Sequence, residues 1–250
     1  MKKPQKRVFI SITRTFVFAF TINILITQAL FSQQSSLSAE VQIDLHSSLI
    51  WRGVVLERNP VVQAAFSLHY DQFQAAFYGT QTFGGGFNAT VLQIQYSIAS
   101  EVGTFTPALT DFYFPGNRLP IFSFASDGTG AHTLEASLTY QAPKAVPVRL
   151  FAAVNFFNDP RFSAYSEATY SFSIGKVEAS AFLGVLLTPR SAWYSSPHSP
   201  IVQQVGINVL GFRASYAVHI TDKWSLPIGA TLIFNPNAGY AYAVASISFR

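Results

Sequence analysis

The chain has 250 residues and no cysteine, and it is 49% hydrophobic and 15% aromatic but only 11% charged. Ordinary soluble domains are roughly 25% charged, so a chain this poor in charge either builds a very large dry core or turns apolar surface toward lipid. Of its sixteen Lys and Arg, five precede residue 33, where no acid occurs; the remainder carries eleven bases against twelve acids, a net charge of −1. The high overall pI therefore belongs to the leader, which removes the electrostatic case for nucleic-acid binding.

That leader comes first in the chain. Lys2, Lys3, Lys6 and Arg7, with Arg14, form a basic start, and Phe16 to Thr27 is an apolar run about a dozen residues long. Ala29-Leu30-Phe31-Ser32 then gives way to polar Gln33-Gln34. The pattern is that of a secretory signal peptide, residues 1–32, with cleavage after Ser32. A permanent membrane anchor is the competing reading, but the apolar run falls short of the ~20 residues that a spanning helix needs. Residues 33–250 then form one exported domain, and the lack of cysteine fits export without disulfides.

From Glu40 to Gly53 the odd positions (Val41, Ile43, Leu45, Ser47, Leu49, Trp51) are apolar but for Ser47, and the even ones (Glu40, Gln42, Asp44, His46, Ser48, Ile50, Arg52) polar but for Ile50. Such alternation marks a two-faced strand, longer than the 5–6 residues usual in soluble sheets and suited to the ~9–11 that cross an outer membrane. The same pattern returns over 62–70, 73–80, 88–100 and 102–114, where Pro107 predicts a bulge or a late start. It continues over 131–142, 148–156, 164–172, 177–187, 203–219, 224–234 and 239–249. Gly84-Gly85-Gly86 reads as a loop, because no Lys and Ser/Thr follow as in a phosphate cradle. Pro227 predicts a local kink.

Twelve strands result, and their connections alternate. Those after the second, fourth, sixth, eighth and tenth strands are short, while the other set contains both long loops, 115–130 and 188–200. Short periplasmic turns and long external loops define an up-and-down transmembrane β-barrel of the bacterial outer membrane. Trp51, Tyr70, Tyr96, Tyr140, Tyr216, Trp224 and Phe249 sit near apolar-face strand ends, as interfacial girdles require.

Several segments resemble the TorF-like porin family of bacterial outer-membrane proteins. They are Trp51-Arg52-Gly53 followed by Pro60-Val61-Val62-Gln63, Asp111 to Pro115, His132 to Glu135, and Ile220 to Pro227 running on to Phe234-Asn235-Pro236. The resemblance implies an outer-membrane barrel, a porin with no enzymatic residues. Its partners would be membrane lipid, small polar solutes and the barrel-insertion machinery. That machinery reads a terminal aromatic, here Phe249 followed by Arg250.

The polar faces carry the candidate pore-lining residues Asp44, His46, Arg52, His69, Asp111, Glu135, Arg149, Glu167, Glu178 and Arg213, with Glu40 and Lys223 beside them. Their charges nearly balance, so strong ion selectivity is not expected. Two arrangements satisfy them: a charged constriction in an open lumen, or cross-strand ion pairs that fill it. No His-Glu-x-x-His or similar metal spacing occurs, and no cofactor is expected. Three functions follow: a diffusion pore for small polar solutes, a non-conducting structural or surface-binding barrel, and an outer-membrane lipid hydrolase. The last needs a serine and histidine opening toward lipid, which inward-facing histidines do not provide. A soluble secreted sandwich is the remaining alternative fold.

Overall fold

The computed structural model describes residues 37–199, 201–222 and 224–249. The expected leader and Lys223 lie outside the described residues. Twelve antiparallel strands form the wall: β1 (Leu37–His46), β2 (Val61–Tyr70), β3 (Phe73–Thr82), β4 (Asn88–Tyr96, continued by Ile98–Ser100), β5 (Gly103–Tyr113) and β6 (His132–Gln141) make the first half. β7 (Val148–Phe157), β8 (Ala164–Ile174), β9 (Val177–Leu186), β10 (Gly206–Thr221), β11 (Trp224–Asn235) and β12 (Tyr240–Phe249) make the second. Each strand pairs with its sequence neighbours, and β12 returns to β1 with Ile43 opposite Phe249 and His46 opposite Ser246. The sheet is closed, with no free edge.

Alternation decides which face is which. Phe66, Phe77 and Leu92 lie side by side across β2, β3 and β4 and are 44%, 45% and 52% exposed. The next row, Ser67, Ala76 and Gln93, points inward. The outer face continues as an exposed apolar band through Ile94, Leu138, Leu150, Leu183 and Leu232. An apolar band of that extent on the outside, with polar side chains inside, is the inverse of a soluble fold and the signature of a transmembrane barrel. Exposed Tyr70, Tyr96, Tyr216 and Trp224 ring the end with the short turns, where amphipathic rings suit a lipid–water boundary.

Both prolines sit where the ladder gives way. Pro107 pairs with Leu138 of β6, and on its other side β4 breaks between Tyr96 and Ile98 without a change of register. The strand starts at Gly103 with neither bulge nor late start. Pro227 pairs with Ala217 of β10, and the β11–β12 ladder begins one residue later, at Ile228. Its missing N–H therefore costs little, and the irregularity lies instead in β10, between His219 and Thr221.

The first strand departs from the sequence reading. β1 ends at His46, and residues 49–57 form a separate two-stranded hairpin, Leu49–Trp51 with Val54–Glu57. Trp51 accordingly sits in no outer girdle. The buried apolar residues Val54, Tyr165, Leu186, Tyr194, Val209 and Ile233 cluster around this hairpin, inside the wall at the long-loop end.

Candidate functional site: a plugged lumen with an eccentric cavity

The hairpin turns on Arg52 and Gly53, whose φ angles are 51° and 81°. Two successive residues with positive φ make the tight turn that matches strand twist. Arginine is an uncommon occupant of that conformation, and its surroundings hold it there. The Arg52 carbonyl accepts from Asn208 Nδ2 at 2.6 Å and the Gly53 carbonyl from Asn235 Nδ2 at 2.8 Å. Asn235 also donates to Asn208 Oδ1 at 3.2 Å, and both amides are fully buried or nearly so. Asn208 reaches inward because β10 carries an extra residue there, between Val209 opposite Gly184 and Ile207 opposite Val185; bulges re-aim side chains in this way. A Cβ on Gly53 would lie 2.1 Å from the Asn208 carbonyl oxygen, so only glycine allows this approach.

The arms of the hairpin are fastened as firmly. Val55 N–H donates to Ser199 Oγ at 3.0 Å, and Ser196 Oγ donates to the Val55 carbonyl. Glu57 accepts through one carboxylate oxygen from Arg58 N–H, Asn59 N–H and the Asn59 amide, and through the other from Thr82 Oγ1 and Phe87 N–H. These donors, the Asn59 N–H foremost, hold its carboxyl below the usual range against the opposing effect of burial. Serine side chains from the 188–199 loop thus satisfy the Val55 backbone groups, as burial inside a barrel requires, while Thr82 and the turn after β3 anchor the Glu57 carboxylate.

At the tip the Arg52 guanidinium meets Glu135 of β6 in a two-pronged pair, 2.5 and 2.8 Å, and donates to Tyr194 Oη at 3.0 Å. Rings surround the cation: Trp51 at 4.3 Å, Phe151 at 5.0 Å and Tyr165 at 5.1 Å from the guanidinium carbon. Burial works against the charge, but the Glu135 carboxylate and Tyr194 outweigh it, and Arg52 is held more firmly protonated than usual. Burial also pushes the Tyr194 hydroxyl up to about 12, with Arg52 pulling the other way. The hairpin therefore spans the lumen from β1 to β6, pinned by an ion pair that solvent barely reaches.

The plug is off-centre. It packs against Tyr165, Leu186, Val209 and Ile233 on β8 to β11, and Gly184 makes room for the Tyr165 ring, whose Oη would lie 2.0 Å from a Cβ there. Toward β2 to β5 it leaves a cavity of about 720 Å³. Gln63, Tyr78, Thr80, Val91 and Phe112 form the wall side, and Trp51, Leu56 and Trp193 the plug side. Below it on the inner face, Gln93 donates to Thr110 and Gln95 to Gln74.

The sequence-predicted residues fall into three groups. Arg52 and Glu135 meet as described, although Arg52 stands on the hairpin and not on the wall. Asp44, His46, His69, Arg149, Glu167, Glu178 and Arg213 lie on the inner face of their strands and make local contacts. Asp44 accepts from Gln42 at 2.6 Å, and Glu167 accepts from Tyr165 Oη at 2.7 Å with Arg149 3.6 Å away. Glu178 accepts from Ser173 at 3.1 Å, His69 is 3.8 Å from Glu40, and Arg213 lies over Phe182 at 5.5 Å.

Asp111 is the exception. It lies opposite Leu134, on the same face as exposed Leu109, and points outward. Its partner is His132, 2.8 Å from Nδ1, while His132 Nε2 donates to the Ile121 carbonyl at 2.5 Å. Tyr113 and Phe124 stack on the two sides of the imidazole at 5.3 and 4.5 Å. The first long loop thus folds down over the outer wall and is clamped there. The polar character of Asp111 marked it as inward-facing; the loop that covers it gave no local signal in the sequence. No group of His, Cys, Asp and Glu suited to a metal ion occurs among the described residues.

No family model matches the chain, and no curated protein does. Among solved structures, the chain is similar to the crystal structure of Pseudomonas aeruginosa OccK5 (OpdH) at 10% sequence identity and a TM-score of 0.36, over 87% of this chain and 67% of that one.

Proposed function

We propose that the chain is a porin-like barrel of the bacterial outer membrane that passes small polar solutes by diffusion, along a path between the plug and β2 to β5. The observation that supports this reading is the off-centre cavity of about 720 Å³. A hairpin meant only to fill the barrel would have no reason to leave a cavity of this size on one side beneath the long loops. Inward charges of both signs occur, and Arg149 with Glu167 and Arg52 with Glu135 form pairs, so size and polarity, more than charge, would select the solute. Neither histidine arrangement suits lipid hydrolysis. Nε2 of outward-facing His132 is engaged by a backbone carbonyl, and the Ser225–His219 pair, 2.7 Å apart, faces the lumen.

A second reading has its own support. The pinned hairpin and the packed cluster behind it are also what a non-conducting structural barrel needs. Purified protein in a planar bilayer separates the two. The pore reading expects discrete small openings, well below those of wide sixteen- to eighteen-stranded porins, with weak preference between potassium and chloride. A flat record at several hundred insertions would leave the structural barrel.

A further inference from the structure

We propose that the cavity beside the plug is a binding site for a neutral polyhydroxylated ring, a mono- or disaccharide. The proposal builds on the diffusion-pore reading only for how the ligand arrives. The volume falls in the ~300–1,000 Å³ range of small-molecule sites.

A continuous run of aromatic rings forms part of the cavity lining. Phe87 contacts Phe114 at 5.9 Å, Phe114 contacts Trp193 at 5.8 Å, and Trp193 contacts Phe112 at 5.3 Å and Trp51 at 6.0 Å. This run of rings leads from the loop rim to the hairpin tip, and all five residues line the cavity. Ring faces carry negative quadrupole density, which attracts the weakly positive C–H face of a pyranose.

The same lining offers hydrogen-bonding groups that the protein itself leaves unused. Tyr78 Oη, the Asn117 amide and the His198 imidazole have no side-chain partner among the described residues, and all three line the cavity. Asn88 accepts from Gly116 N–H through Oδ1, which leaves its two amide hydrogens available. Gln63, which donates to Thr80, is engaged by the protein and is not among these free groups. Donors and acceptors are therefore both present, spread around a ring-lined wall.

Charge excludes the alternatives. No described Lys or Arg lines the cavity. Its one carboxylate, Glu57, has both oxygens occupied by five donors from the chain. An anion finds no Lys or Arg there, and a cation finds no free carboxylate. What fits is a solute with apolar C–H faces and several hydroxyls at its edges.

Intrinsic fluorescence tests this directly. Of three tryptophans, Trp51 and Trp193 line the cavity and Trp224 lies on the outer girdle. In the otherwise unaltered, detergent-purified chain carrying Trp224→Phe, titration with maltose should shift the emission saturably, with Kd on the order of 1 mM. Succinate and arginine at the same concentrations should leave it unchanged. Tyr78→Phe and Asn117→Ala, each checked for a native heat-resistant barrel, should weaken the maltose response at least several-fold. No saturable response to maltose or glucose, an equal response to succinate, or indifference to both substitutions would overturn the proposal. Conductance of the same preparation reports on the pore separately. Openings without a sugar response overturn the sugar site alone, and a sugar response without openings overturns the pore alone.

Discussion

Glu135→Ala is expected to release the plug. The substitution strands the Arg52 guanidinium among Trp51, Phe151 and Tyr165, with Tyr194 as its remaining hydrogen-bond partner. Removing one member of a buried ion pair typically costs about 3–5 kcal/mol, because the other charge stays desolvated. The barrel wall does not depend on this pair for its ladder, so the strain falls on the hairpin. Arg52 regains water if the tip leaves its seat on Asn208 and Asn235, and the lumen then opens. The expected result is a conductance at least several-fold above wild type, with long, noisy openings, and a lower melting temperature. Replacing both partners, in Arg52→Ala with Glu135→Ala, removes the stranded charge and should recover part of the lost stability. Unchanged conductance in Glu135→Ala would show that the hairpin is held by its backbone contacts and core packing alone.

Phe77→Arg is expected to destabilise the inserted barrel severely. Phe77 stands mid-strand on β3 between Phe66 and Leu92, at the centre of the outer apolar band. An arginine at the bilayer midplane of a barrel costs about 2–4 kcal/mol. One residue away, Ala76 opposes Ser67 and Gln93 on the inner face, and Gln93→Arg should be tolerated. Folding into phosphatidylcholine vesicles, followed by the urea midpoint of each variant, measures the contrast. The account expects a large drop for Phe77→Arg and a small one for Gln93→Arg. The reverse order would mean that the faces have been exchanged.

The wall was legible because its physics is local. Each strand must show one face to lipid and one to the lumen, so period-2 patterning fixes both its existence and its orientation. The alternation of short and long connections then gives the up-and-down topology. The plug was not legible for the same reason. The hairpin is also two-faced, so Leu49 and Trp51 resume the alternation of Ile43 and Leu45 with only Ser47 between them. The cues to its end were Ser47-Ser48 and the turn pair Arg52-Gly53. Both are weak beside a dozen alternating residues.

The candidate site divides along the same line. Glu135, Glu167, Arg149 and Arg213 were placed inward from parity alone. That Arg52 crosses the lumen to Glu135, 83 positions away in the chain, depends on tertiary packing that no local pattern encodes. Asp111 shows the opposite failure. A carboxylate on the outer face is tolerated because His132 pairs with it and the loop carrying Ile121 and Phe124 covers the pair. Nor did the sequence reveal the bulge at Asn208, which turns a second inward side chain toward the hairpin tip.

One closed wall presents lipid-facing and lumen-facing residues in alternation along each strand, interrupted only at local bulges. Because the chain has no cysteine, single cysteines introduced along β4 test it without background. In barrels folded into vesicles, a water-soluble maleimide should label Gln93→Cys and Gln95→Cys readily and leave Leu92→Cys and Ile94→Cys almost unreacted. A lipid-soluble maleimide should reverse that order. Equal labelling of all four by the water-soluble reagent, or preferential labelling of Leu92→Cys and Ile94→Cys, would contradict the account.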